Sequence, residues 1–277
     1  MSNNITTVNP ANGETIATHD FMSASEWKAA VDGCHEAFLS WRMKSIEERG
    51  KVILAIGEAL TDNKDELAEL MTQEMGKLLK HSKQEVDLCA QICAHTAKMG
   101  PEELADEERD LPDGGRGIVT HQPIGVVYGI QPWNFPTYQV VRYSIANLMA
   151  GNGVLLKHAE NVTGTAKRLG EIYEQAGLPK GLFAVLVIDH DQSDEVIAYD
   201  KVRGVTLTGS PDAGRHVAQK AGAALKKTVL ELGSNDAYIV LEDADLDRAV
   251  KQCVTGRIYN NGETCVAAKR FIVVDAV

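Results

Sequence analysis

Residues 153–177 read GVLLKHAENVTGTAKRLGEIYEQAG and contain the pattern that decides the fold. A continuous apolar run leads into polar residues and then into a segment with apolar residues at helical spacing, which is typical of a buried strand followed by a helix. Similar apolar runs, several separated by helical patterns, occur at GVVYGI (125–130), FAVLVI (183–188), GVTLTG (204–209) and KTVLEL (227–232). Strands that alternate with helices predict an α/β fold whose parallel sheet is covered on both faces.

The segments outside this alternation have different sequence patterns. The first third is predicted to be helical, because SEWKAAVDGCHEAFLSWR (25–42) and NKDELAELMTQEMGK (63–77) place apolar residues at helical spacing, with Ser25 as the expected N-cap. EERDLPDGGRGIVTHQPIG (107–125) is charged and then glycine-rich, which predicts a hairpin. FIVVDAV (271–277) reads as a new strand with nothing after it to pair with, so the last domain is expected to be incomplete.

Composition restricts the classes of function. The net charge of −11 argues against nucleic acid or an anionic membrane as a partner. Neither a signal peptide nor a membrane-spanning apolar run is recognisable, so a cytoplasmic protein is expected. Five cysteines at irregular spacing favour reduced thiols over a disulfide framework. Cys89 and Cys93 are four residues apart, but no second pair of ligands is apparent, so they are predicted to be core thiols and no metal site is expected.

Polar residues follow several of the predicted strands, and open parallel sheets bind ligands at the carboxyl ends of their strands. Lys157 and Glu160 follow one strand and could hold the hydroxyls of a ribose, or form a solvated surface pair. Gly209 and Ser210 follow another at the start of a helix, where backbone N–H groups favour a phosphate. A plain helix cap explains the same two residues equally well.

Three further residues suit catalysis. Asn134 lies between two prolines in PWNFP (132–136), where a fixed amide could donate to an oxyanion or simply form a turn. Glu231 ends an apolar strand and would suit a general base if buried, whereas a strand-end glutamate is usually exposed. Cys265 lies in the polar stretch NNGETC (260–265) rather than on an apolar face, which indicates chemistry rather than packing.

Together these motifs resemble those of the NAD(P)-dependent aldehyde dehydrogenase family. PWNFP, LLKHAEN (155–161), LTGSPDAG (207–214), LELG (230–233) and NNGETC stand in that family's order and at close to its spacing. Within the family the chain is most similar to succinate-semialdehyde dehydrogenases. The resemblance implies a Rossmann-like cofactor domain, oxidation of an aldehyde and a homodimer or homotetramer.

The resemblance also implies a role for each motif residue. Cys265 would be the nucleophile, Glu231 the general base and Asn134 the oxyanion donor. NAD is the expected cofactor, with NADP as the alternative. The implied cofactor contacts are Ile130, Pro132, Trp133, Lys157, Glu160, Thr208, Gly209 and Ser210.

Arg142 is the implied substrate residue. The residues around it alone favour an arginine that extends to solvent. The resemblance instead implies a contact with the carboxylate of succinate semialdehyde. The implied domains are a cofactor-binding domain at 1–104 and 124–232, an oligomerisation hairpin at 105–123, and the start of a truncated catalytic domain at 233–277.

The sequence departs from the family pattern at three places. Glu263 replaces the usual glutamine, His158 the usual proline after the lysine, and Ser234 the second of two glycines. Two alternatives stay open beside the oxidation of succinate semialdehyde. The first is oxidation of another aldehyde, and the second is a dinucleotide-binding module without catalysis, since the piece alone is expected to be inactive.

Overall fold

The computed structural model describes residues 4–277, which form helices and strands in the predicted alternation. The α-helices are α1 (Ala24–Trp41), α2 (Ile46–Asp62), α3 (Lys64–Met75), α4 (Leu79–Glu103), α5 (Pro136–Met149), α6 (Thr163–Gln175), α7 (His190–Ala198), α8 (Pro211–Ala223) and α9 (Leu246–Ile258). The strands are β1 (Asn4–Val8), β2 (Thr15–Asp20), β3 (Glu107–Asp110), β4 (Arg116–Val119), β5 (Val126–Gln131), β6 (Gly153–His158), β7 (Phe183–Val185), β8 (Val202–Thr208), β9 (Lys227–Glu231), β10 (Ala237–Val240) and β11 (Arg270–Val273).

A five-stranded parallel sheet with the order β7-β6-β5-β8-β9 forms the centre of the molecule. Adjacent side chains on a strand point to opposite faces, so each buried strand contributes to two cores. On β6, Val154 and Leu156 pack with residues of α2, α4, α5 and α6, whereas Leu155 packs with residues of α1, α7 and α8. The predicted α/β fold with a sheet covered on both faces is therefore confirmed.

The predicted helices of the first third are confirmed from residue 24 onward, but residues 4–20 form the strands β1 and β2 instead, and the predicted cap of the first helix is wrong. Ser23, rather than Ser25, caps α1, because the Ser23 hydroxyl accepts from the Glu26 N–H while the Glu26 side chain accepts from the Ser23 N–H. Cys89 and Cys93 lie in the core, as predicted. Within residues 4–277 no helix is both long and apolar enough to cross a membrane, and no group of three potential metal ligands occurs.

In the described part of the chain, three two-stranded sheets lie outside the central one, and β1 and β2 form the first of them as an antiparallel pair. β3 and β4 pair antiparallel as the hairpin expected in this region, with their residues largely exposed. The last strand, β11, finds its partner earlier in the chain, because it pairs in parallel with β10 across α9. β11 is nonetheless exposed at every residue, and α9 buries none of its residues.

Candidate active site

The register of the parallel sheet brings the predicted cofactor residues to one edge. Ile130 on β5 lies opposite Lys157 on β6 and Leu207 on β8, and Thr208 lies opposite Glu231 on β9. The backbone N–H of Gly209 donates to the Glu231 carbonyl at 3.0 Å. The loops that leave this edge contain Pro132, Trp133, Glu160 and Ser210, so residues far apart in sequence meet at the carboxyl ends of the strands.

A cavity of about 400 Å³ opens at this edge between α7 and α8. Lys157 lines it and is only 6% exposed, and this burial lowers the pKa of its ammonium group, while Glu160 and Asp189 act in the opposite direction. Asp194 of α7 accepts from His216 Nε2 of α8 at 2.8 Å and bridges the two walls. Asp194 and His216 could not be recognised from the sequence, because they lie within helices rather than directly after a strand.

The first turns of three helices also meet at this edge and differ in what caps them. Glu85 accepts from the first backbone N–H groups of α5, and Glu74 accepts from those of α6. At α8 the cap is the hydroxyl of its own Ser210, which accepts from Ala213 N–H at 3.2 Å. Internal carboxylates therefore occupy the positive ends of α5 and α6, whereas α8 has no such partner from another helix among the described residues.

Asn134 lies between the sheet edge and the segment that contains Cys265. Its side-chain Nδ2 donates to the Glu263 carbonyl at 2.8 Å, and its own carbonyl accepts from Asn260 Nδ2 at 2.9 Å. Asn260 and Asn261 adopt left-handed backbone conformations, with φ of 52° and 57°, which asparagine tolerates better than most residues. This tight turn holds the end of the NNGETC stretch against the Asn134 loop.

Cys265 is the exposed cysteine of this segment, whereas Cys34, Cys89 and Cys93 are buried and Cys253 is intermediate. Lys269 Nζ donates to the Cys265 carbonyl at 2.6 Å and to the Ser234 carbonyl at 2.7 Å, which ties the cysteine to the chain that follows β9. Within residues 4–277 no hydrogen bond joins the Cys265 thiol to Glu231.

Two of the departures from the family pattern lie near the Asn134 loop, where Glu263 is half-buried and His158 is buried. Burial raises the pKa of the Glu263 carboxyl, and the positive charge of Lys77 opposes that rise. The His158 ring lies between two backbone carbonyls, with Nε2 2.9 Å from that of Pro136 and Nδ1 3.1 Å from that of Gln131. Burial lowers the pKa of His158, while the two carbonyls act in the opposite direction.

Glu231 and Arg142 lie together at the end of a second groove. Glu231 has an exposed side chain, so the buried general base considered from the sequence is not found here. Arg142 Nη1 is 3.8 Å from Glu231 Oε1, and Arg142 Nη2 donates to Thr208 Oγ1 at 3.2 Å. Both residues line a groove of about 420 Å³ on one face of the sheet, so Arg142 faces a pocket rather than extending freely into solvent.

Residues 1–277 match the aldehyde dehydrogenase family. The chain belongs to this family. A succinate-semialdehyde dehydrogenase (NADP(+)) of Deinococcus radiodurans is 44% identical over 269 residues, which cover 97% of the chain and 56% of that protein. The Escherichia coli K12 protein Sad, a succinate semialdehyde dehydrogenase (NAD(P)+), is 40% identical over 98% of the chain and 58% of its own length.

A solved structure from the same group of enzymes is also similar to the chain. The crystal structure of succinic semialdehyde dehydrogenase from Streptococcus pyogenes in complex with NADP+ superimposes with a TM-score of 0.95 at 38% identity, over 98% of the chain and 60% of that protein. The predicted family, the closer similarity to succinate-semialdehyde dehydrogenases and the aldehyde dehydrogenase fold are thus confirmed. The chain spans less than two thirds of the length of these relatives.

The site geometry predicts which thiol of the folded chain reacts first with an alkylating reagent. Iodoacetamide should modify Cys265 well before Cys34, Cys89 or Cys93, because burial raises the pKa of Cys34 and of Cys93 to about 12 and lowers access. Peptide mass spectrometry after timed quenching measures this order, and labelling in denaturant is the control in which all sites react. Equal initial alkylation rates at Cys265 and Cys93 in the folded chain would contradict the prediction that Cys265 is the accessible thiol.

Proposed function

We propose that the protein oxidises succinate semialdehyde to succinate through a covalent intermediate on Cys265. The observation that supports this most is the hydrogen bond from the Asn134 amide to the Glu263 carbonyl, two residues before the exposed Cys265. An amide held beside a reactive thiol is the arrangement that acyl chemistry requires.

The chemistry of these residues is consistent with the oxidation of an aldehyde to an acid. The Cys265 thiolate adds to the aldehyde carbon, and the second Nδ2 proton of Asn134 and the Cys265 backbone N–H stabilise the resulting oxyanion. When bound, a nicotinamide dinucleotide supplies the hydride acceptor that converts this thiohemiacetal into a thioester. Glu231 then takes a proton from the attacking water, the acid is released and Cys265 leaves as the thiolate.

The residues at the sheet edge fit a dinucleotide. The cavity between α7 and α8 has room for part of such a ligand, and its wall contains the buried Lys157. The N-terminus of α8 at Gly209 and Ser210 suits the pyrophosphate, because Glu74 and Glu85 already occupy the equivalent ends of α6 and α5. Ile130, Pro132, Trp133 and Thr208 complete the proposed cofactor contacts.

We predict that NAD binds more tightly than NADP. The exposed Glu160 can accept from ribose hydroxyls beside Lys157, and its charge would repel a 2′-phosphate. The relatives named above are labelled NADP(+) or NAD(P)+, which favours the opposite order. We expect on the order of tenfold weaker binding of NADP, equivalent to about 1.4 kcal/mol.

Dissociation constants for both cofactors at one salt concentration measure this difference in the longest natural form of the protein. Glu160→Ser should tighten NADP binding and change NAD binding little. Glu174→Ser is the matched control, because Glu174 is an exposed glutamate in the last turn of α6, away from the sheet edge. Tighter binding of NADP by the unaltered protein would reject the prediction.

Arg142 is the proposed substrate-selecting residue. Its guanidinium lines the groove beside Glu231 and retains N–H groups beyond the one bound to Thr208, so it can hold a carboxylate. An arginine that binds one end of the aldehyde would select substrates with a terminal carboxylate. A charge-assisted hydrogen bond contributes about 1.5–3 kcal/mol.

Arg142→Leu should therefore lower kcat/KM for succinate semialdehyde roughly tenfold to a hundredfold. Turnover of butanal should hold or rise, because that aldehyde has no carboxylate. Steady-state kinetics on the longest natural form measures both, with Arg203→Leu as a control at the amino end of β8. An equal loss of kcat/KM on the two aldehydes would show that Arg142 has a structural role. The substrate could then be assigned only as an aldehyde.

The remaining expectations stay proposals. We infer that residues 1–104 and 124–232 form the cofactor-binding domain, that 105–123 form an oligomerisation arm for a homodimer or homotetramer, and that 233–277 begin the catalytic domain. The chain by itself is expected to bind cofactor without turnover, because Cys265 and Glu231 are both exposed to water.

A further inference from the structure

A buried ion pair lies directly behind the Asn134 loop. The side chains of Lys77 and Glu85 are 0% and 1% exposed, and Lys77 Nζ donates to Glu85 Oε2. Lys77 follows Gly76, whose left-handed backbone ends α3, and Glu85 lies in the second turn of α4. Charged groups are costly to bury, so a pair at this depth needs further partners.

Glu85 finds these partners at the start of α5. Its Oε1 accepts from the backbone N–H groups of Thr137 and Tyr138, each at 2.8 Å. A carboxylate at this point satisfies two donors that have no partner within the helix and interacts favourably with the helix dipole. Glu85 therefore fixes the chain three residues after Asn134.

Lys77 contacts Phe135, which lies between Asn134 and Thr137. Its ammonium nitrogen lies 4.1 Å from the centroid of the Phe135 ring, a cation–π contact removed from water. Asn134 itself is held by the bonds to Glu263 and Asn260. The direction of the Asn134 amide thus depends on two anchors, the ion pair and the left-handed turn before Cys265.

A second buried glutamate, Glu74, provides a control for the contact between Glu85 and α5. Glu74 is also buried, at 2% exposure, and its carboxylate accepts from Gly164 N–H at 2.8 Å and Thr165 N–H at 3.0 Å. It therefore caps α6 as Glu85 caps α5. α6 follows β6, so the Glu74 contact does not reach the loop that contains Asn134.

We propose that Lys77 and Glu85 are positioning residues that aim the Asn134 amide at the oxyanion formed on Cys265. This inference rests on the proposed function, in which Asn134 is the oxyanion donor. The pair touches neither aldehyde nor cofactor, so its effect belongs to the rate of the chemical step and not to binding.

The first test compares Glu85→Gln with Glu74→Gln in the longest natural form of the protein. A glutamine side chain has one accepting oxygen where a carboxylate has two, so it cannot satisfy all the donors around Glu85 or around Glu74, and both variants should lose thermal stability. Only Glu85→Gln should lower kcat and the rate of the first NADH burst, roughly tenfold to a hundredfold, with KM within about twofold. Equal losses of kcat in the two variants would overturn the proposal.

A second measurement separates positioning from general damage. Alkylation of Cys265 by iodoacetamide forms no carbonyl oxyanion, so Glu85→Gln should keep the alkylation rate within about twofold of the unaltered protein. A parallel fall of alkylation and burst rates would show a disordered site and overturn the proposal. If Glu85→Gln does not fold, Phe135→Leu removes the ring beside Lys77 without leaving a buried charge unpaired, and the same pattern is expected.

A double-mutant cycle with Asn134→Ala identifies the route of the effect. Once the amide is absent, its direction no longer matters, so Glu85→Gln should then change kcat by less than about twofold. The same fold loss in both backgrounds would overturn the proposal while leaving the oxyanion role of Asn134 intact. If Asn134→Ala alone had no effect, the oxyanion assignment itself would fail, and this inference with it.

Discussion

The contact between the Glu85 carboxylate and the first turn of α5 is the interaction on which the rest of the site depends. A buried carboxylate must find donors, and a helix start leaves backbone N–H groups without partners, so each satisfies the other. This contact joins the helical first third of the chain to the edge of the parallel sheet. It also holds both residues proposed to meet the aldehyde, since Asn134 precedes α5 and Arg142 lies on it.

The same principle distinguishes the three helix starts at this edge. Glu85 and Glu74 occupy those of α5 and α6, whereas α8 is capped by its own Ser210. This difference supports the start of α8, beside the cavity that Lys157 lines, as the proposed position of an external anion. The proposed cofactor region between α7 and α8 is thus distinct from the proposed substrate groove that contains Arg142.

Much of this arrangement could be predicted from the sequence, because buried parallel strands leave continuous apolar runs and their ends mark the ligand edge. The predicted cap of α1 was the wrong one of two nearby serines. Ser23, and not Ser25, stands three residues before Glu26, and this spacing completes a capping box. Glu74 and Glu85 left no such signal, because a glutamate in an amphipathic helix normally faces water. Only the path of α5 and α6 in three dimensions supplies their donors.

The central claim is that Cys265 forms the acyl intermediate and that Glu231 acts only in its hydrolysis. The most direct measurement is the mass of the longest natural form carrying Glu231→Gln, quenched in acid after mixing with succinate semialdehyde and NAD. We expect a succinyl thioester that peptide mapping places on Cys265, with a burst of NADH that precedes slow turnover. An acyl group on another residue, or loss of both the burst and the adduct, would contradict it.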